Sequence, residues 1–144
     1  MSYTLTHLSP RLVLIAWRRT PITDEARAFI QSLHDLLEHA SEPLYFISDL
    51  RRGRIVDMRI IHQLSQLTEH PRWGGSTAFS QNPISKIFLG SFQRLLTTTS
   101  DKNVTFDQPE DAIAFLEQLA SGLSEGVDWT QVLNRTTGNL NLPD

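Results

Sequence analysis

Leu44-Tyr-Phe-Ile-Ser-Asp-Leu50, followed by Arg51-Arg-Gly-Arg54 and a helical pattern from Asp57, decides how this chain folds. A short apolar, aromatic and β-branched run ending in Asp, then a basic loop with Gly, then a helix, is the middle of a βα unit. The loops that follow the strands are where α/β domains usually bind their ligands. Here that place is occupied by Arg51, Arg52 and Arg54, with Arg59 in the first turn of the next helix.

The unit repeats in both directions along the chain. Upstream, Tyr3 to Leu8 alternates with period two, Ser9-Pro10-Arg11 is a turn, and Leu12 to Trp17 is a second strand. So short a connection predicts an antiparallel hairpin. Thr20-Pro21-Ile22 ends that strand, Thr23 is the candidate cap of a first helix, and Ala26, Phe29, Ile30, Leu33, Leu36 and Leu37 form its apolar stripe. Downstream, Ile60, Ile61, Leu64 and Leu67 carry a second helix, and Gly74-Gly75 precedes a short strand at Ser76–Phe79. Asn82-Pro83 signals a third helix over Ile84–Leu96, and Asn103–Phe106 is a last strand. Asp107-Gln-Pro-Glu-Asp111 starts a fourth helix with Ala112, Ile113, Phe115, Leu116 and Leu119 facing inward.

The order β-β-α-β-α-β-α-β-α predicts an α/β domain with a mostly parallel, mixed sheet of about five strands and about four helices. The first strand is the antiparallel exception, at or near an edge. Residues 1–120 make the domain, and 121–144 read as a tail with a short helix near Trp129. A bare edge leaves strand pairing into a homodimer open.

Composition narrows the function classes. At 144 residues the chain is long enough to bury a core unaided, and its apolar and charged fractions, 40% and 20%, are those of a globular protein. A formal charge of −3 argues against a general nucleic-acid binder. With no cysteines, thiol catalysis and cysteine-based metal sites are excluded, and a reducing cytoplasm suits the chain. No signal peptide is visible, and the longest apolar run, Leu12–Trp17, is far too short to span a bilayer. Eleven of the thirteen basic residues are Arg, the side chain suited to two-point recognition of carboxylate or phosphate. A GC-rich genome yields the same bias.

Catalytic and metal signatures do not emerge. Serines occur in no Gly-x-Ser-x-Gly, and Asp49 has no phosphate-binding Gly-x-x-x-x-Gly-Lys segment to serve. Its expected role is structural, accepting hydrogen bonds from loop amides or a neighbouring Arg. His34 and His39 are about 140° apart around a helix, and His62 and His70 are separated by about 12 Å along one. No cofactor and no metal are expected. Trp73, between Arg72 and Gly74-Gly75, suits either core packing or an exposed anchor.

Residues 1 to about 120 resemble the STAS-like superfamily, nearest its SpoIIAA-like group, which is related to anti-sigma factor antagonists and, in shape, to the lipid-binding Sec-14 domain. Three features carry the likeness: the strand-end Asp49-Leu50, the helix approach Trp17-Arg-Arg-Thr-Pro-Ile-Thr23, and Val104-Thr-Phe-Asp-Gln-Pro-Glu-Asp-Ala-Ile-Ala-Phe-Leu116. In anti-sigma antagonists an Asp-Ser pair opens the second helix and carries the phosphorylated Ser. Asp57 matches the Asp, but Met58 follows it, so that switch does not carry over.

The resemblance implies a non-catalytic regulatory module that binds a protein partner through the second helix and the loop before it. The candidate residues are Arg18, Arg19, Asp49, Arg51, Arg52, Arg54, Asp57 and Arg59. If the strand before Arg18 runs parallel to the one ending at Asp49, the six arginines share one end of the sheet and suit an anionic ligand or acidic face. The opposing reading is solvated charge paired with Asp49, Asp57 and Glu25. A small-molecule or lipid carrier is the runner-up, and an enzyme the least favoured class.

Overall fold

The computed structural model describes residues 2–53, 57–80 and 103–138. Arg54 and the expected third helix, Ile84–Leu96 with its Asn82-Pro83 start, lie outside the described residues. Strands β1 (Tyr3–Ser9), β2 (Leu12–Trp17), β3 (Leu44–Asp49), β4 (Trp73–Phe79) and β5 (Asn103–Phe106) lie side by side in chain order. Helices α1 (Thr23–His39), α2 (Met58–Leu67), α3 (Pro109–Leu119) and α4 (Trp129–Gly138) accompany them. The chain is therefore α/β with a mixed sheet: β1 and β2 are antiparallel, and the other pairings are parallel.

Alternation along the strands sorts the core into two layers. Val13, Ile15 and Trp17 of β2, with Leu44 and Phe46 of β3, face α1, whose Phe29, Leu33 and Leu37 are buried against them. Leu12, Leu14 and Ala16, with Ile47 and Phe79, face α3 through Ala112 and Leu116. Leu12–Trp17 is buried along its whole length because β2 is covered on both faces. Tyr3, Trp17 and Phe29 meet as a tilted and edge-on trio, with centroids 4.8–5.4 Å apart.

Two local details differ from the sequence reading, and a third decides between two alternatives. Ile22, not Thr23, caps α1, and the Glu25 carboxylate supplies what Ile22 lacks by accepting the Ile22 N–H at 3.2 Å. The strand expected at Ser76–Phe79 begins at Trp73, so Gly74, Gly75 and Ser76 lie inside β4. The reason is packing: the Tyr45 ring of β3 crosses Gly74, and a Cβ there would stand 2.6 Å from the ring carbon Cζ. Trp73 is buried, stacked on Phe46 with centroids 4.5 Å apart, so it belongs to the core.

Past α3, Gly122 and Gly126 adopt positive φ, and Glu117 accepts from the Gly122 and Ser124 amides and the Ser124 hydroxyl. That turn returns the chain so that Trp129, Val132 and Leu133 pack on the α3 layer. Among the described residues no helix is long and apolar enough to cross a membrane.

Candidate functional site

β2 and β3 are parallel, with Leu14 beside Ile47 and Ala16 beside Asp49. Arg18-Arg19 and Arg51-Arg52 therefore leave the sheet at the same end. The two loops touch closely: a Cβ on Gly53 would lie 2.3 Å from the Arg19 carbonyl carbon, so only glycine permits the approach. Helices α1 and α2 run back along one face, which puts their N-termini on this rim as well.

Within the rim, three arginines are held by carboxylates. Asp49, buried at the end of β3, accepts the Arg51 amide at 3.1 Å and the Arg51 guanidinium at 2.9 Å through Nε and 2.7 Å through Nη2. Arg51 Nη2 also donates to the Leu133 carbonyl of α4 at 3.2 Å, and the guanidinium carbon sits 5.5 Å from the Phe79 ring centroid. Asp49 thus orders the loop and, through Arg51, pins α4 to the rim. Among the described residues the hydrogen bonds that Asp49 accepts come from Arg51.

Arg19 grips Glu25 with two parallel hydrogen bonds of 2.8 and 3.0 Å. Those bonds, aided by the Ile22 and Ser2 amides, hold the Glu25 carboxyl down at about 2 against the opposing effect of desolvation. Asp57 caps α2 by accepting the Arg59 amide at 2.9 Å, and the Arg59 guanidinium folds back onto the same carboxylate. The Arg59 side chain lowers the Asp57 pKa and has its own raised in return. Both groups are open to water, so this pair orients the helix start more than it stabilises the fold.

Arg18 and Arg52 are different. Among the described residues neither makes an ion pair, and Arg18 is exposed. Two apolar side chains stand out at the same end of the molecule. Ile22 at the start of α1 and Met58 at the start of α2 are the large hydrophobic residues left exposed among the described residues, at 63% and 46%. Both lie on the arginine rim. Of the eight candidate residues, the structure brings Arg18, Arg19, Asp49, Arg51, Arg52, Asp57 and Arg59 to this end of the molecule, and Arg54 is outside the described residues.

A second polar cluster escaped the sequence reading. Between α1 and the turn before β4, Glu38 Oε1 lies 3.4 Å from His34 Nε2 and 3.2 Å from His70 Nε2. The Arg72 amide donates to His70 Nδ1 at 3.0 Å, which leaves Nε2–H to donate to Glu38. The groove they border, floored by Ile30 and Leu67, is open and about 550 Å³. His34 and Glu38 share a helix face at i, i+4, but His70 arrives from 32 residues beyond Glu38, which no local spacing announces. Among the described residues no three His, Asp or Glu side chains form a set able to hold a metal ion.

No protein-family model matches the chain, and no curated protein matches it in sequence.

Proposed function

We propose that this chain is a non-catalytic binding module of the STAS/SpoIIAA-like kind, and that it engages an acidic protein segment through the rim at the carboxyl ends of β2 and β3. One observation carries the reading. The large hydrophobic residues left exposed among the described residues, Ile22 and Met58, lie at the same end of the sheet as Arg18 and Arg52, two rim arginines that make no ion pair among the described residues. Arg and Met are the kinds of side chain that protein interfaces favour, and an apolar contact ringed by cations selects a partner that is acidic and amphipathic.

The rest of the rim suits that role. Arg19, Arg51 and Arg59 are engaged by Glu25, Asp49 and Asp57, which leaves Arg18 and Arg52 to meet a partner. Asp49 at the strand end and Asp57 at the helix cap stand where the family resemblance puts its acidic positions. Met58, in place of a phosphorylatable Ser, gives a constitutive apolar contact instead of a switch. The full nine-element order, with a third helix over Ile84–Leu96, and a cytoplasmic setting are parts of the same reading.

The test is amide chemical-shift mapping with a peptide of alternating Glu and Leu. Salt-sensitive perturbations centred on Arg18, Ile22, Arg52 and Met58 support the module. Perturbations confined to the groove between α1 and α2, or no binding at low salt, count against it.

A further inference from the structure

Among the described residues nothing pairs with the outer edge of β1, and its backbone register shows what fits there. Tyr45 N–H donates to the Arg11 carbonyl at 2.8 Å, so odd-numbered residues of β2 turn their amide groups toward β3 and even-numbered ones toward β1. Arg18 N–H donates to the Ser2 carbonyl at 2.7 Å, which agrees. In the β1–β2 register the bonded pairs are therefore Thr4–Ala16 and Thr6–Leu14. Tyr3, Leu5 and His7 carry their N–H and C=O groups outward, and among the described residues nothing accepts or donates to them.

Exposed edges are normally blunted by Lys, Pro, an inward charge, a bulge or shortness. At the far side of the sheet, β5 is short at four residues. β1 has seven residues, no Lys and no Pro, and its one bulge falls after His7, beyond the outward-facing set.

The sequence of that segment is self-complementary. About Leu5 as centre, Thr4 mirrors Thr6 and Tyr3 mirrors His7. A two-fold axis at Leu5 makes Leu5–Leu5, Tyr3–His7 and His7–Tyr3 the hydrogen-bonded pairs, which are the residues whose backbone groups point outward. The same axis sets Thr4 against Thr6 on the other face, a favourable cross-strand pair. An isologous contact requires such a match of a surface with itself.

We propose that two copies of this chain pair through β1 in antiparallel register centred on Leu5, joining their sheets into one. Alternation puts Leu5 on the α1 side of the sheet, where it is partly buried, and the second copy covers the remainder.

Light scattering coupled to size exclusion at tens of micromolar tests this. The wild type is expected at twice the 16.4 kDa chain mass, and His7→Pro is expected to be monomeric. That proline removes an outward N–H and leaves the β1–β2 ladder intact, so folding survives. Thr6→Lys, at an exposed position, is the second variant and is expected to weaken the dimer at least tenfold. In hydrogen exchange the Leu5 and His7 amides gain protection with concentration, whereas Thr4 and Thr6 are protected throughout. A monomeric wild type, or a dimer unaffected by both variants, overturns the proposal.

Discussion

Gly53 lies against the main chain of Arg19, so close that a single methyl group would stand 2.3 Å from the Arg19 carbonyl carbon. Two loops that are far apart in sequence are thereby locked into one surface. Gly53→Ala is expected to destabilise the fold by about 1–3 kcal/mol, because backbone must move to admit the methyl. It should also blur the rim. Urea unfolding reads the first effect and the line widths of the Arg18 and Arg19 amides the second.

The Asp49–Arg51 pair, whose carboxylate is buried and whose guanidinium is partly exposed, predicts a contrast between breaking an ion pair and replacing it. Arg51→Ala leaves the buried Asp49 carboxylate without its cation and should cost roughly 3–5 kcal/mol. Asp49→Leu combined with Arg51→Met should cost much less, since no charge is stranded. Both variants lose the bond to the Leu133 carbonyl, so α4 should exchange its amides faster in each. Denaturant melts and hydrogen exchange on the two variants measure these effects separately.

Acid stability follows from Glu25. Its carboxyl titrates near 2 in the folded protein and at about 4.5 in the unfolded chain, so the unfolded state takes up protons first as pH falls. The stabilisation from this group is complete above about pH 4.5 and is lost as pH drops toward 2. The lowered Asp57 and Glu117 carboxyls act in the same direction. Glu25→Gln is expected to flatten the dependence of melting temperature on pH in that window and to change little of its shape above pH 5. Calorimetric melts from pH 2 to pH 7 check the sign.

Core packing supplies a fourth expectation. Leu116 is fully buried between α3 and the sheet, and Leu116→Ala should cost about 2–5 kcal/mol. An exposed neighbour on the same helix, Gln118→Ala, should fall within about 0.5 kcal/mol of the wild type. Paired urea titrations distinguish the two.

The α/β class, the antiparallel first hairpin and the helical stripes were legible because each rests on local periodicity and turn chemistry. Phe29, Leu33 and Leu37 repeat at helical spacing, and Leu12 to Trp17 is a short apolar run that follows the Ser9-Pro10-Arg11 turn. The start of β4 was misplaced because Gly74 and Gly75 read as a loop. The Tyr45 ring, brought alongside by the neighbouring strand, explains Gly74, and Gly75 adopts a φ of 156°. Thr23 lost the cap to Ile22 because Glu25 reaches back, a bond set by where Arg19 holds that carboxylate. The arginine rim was legible as a list of residues. Its division into paired and unpaired guanidiniums was not, since it depends on which acids the loops bring within 3 Å. The exposure of Ile22 and Met58, and the meeting of His34 with His70, likewise depend on how α1 and α2 settle on the sheet.

The binding role proposed for the rim is tested most directly by reversing Arg18 and Arg52, which make no ion pair among the described residues. Arg18→Glu with Arg52→Glu touches no ion pair found among the described residues, so the fold should be retained, as circular dichroism and melting temperature will show. The affinity of the variant for the alternating Glu–Leu peptide, measured by isothermal titration at low salt, is expected to fall at least tenfold below that of the wild type. Equal affinity for the two proteins would contradict the account.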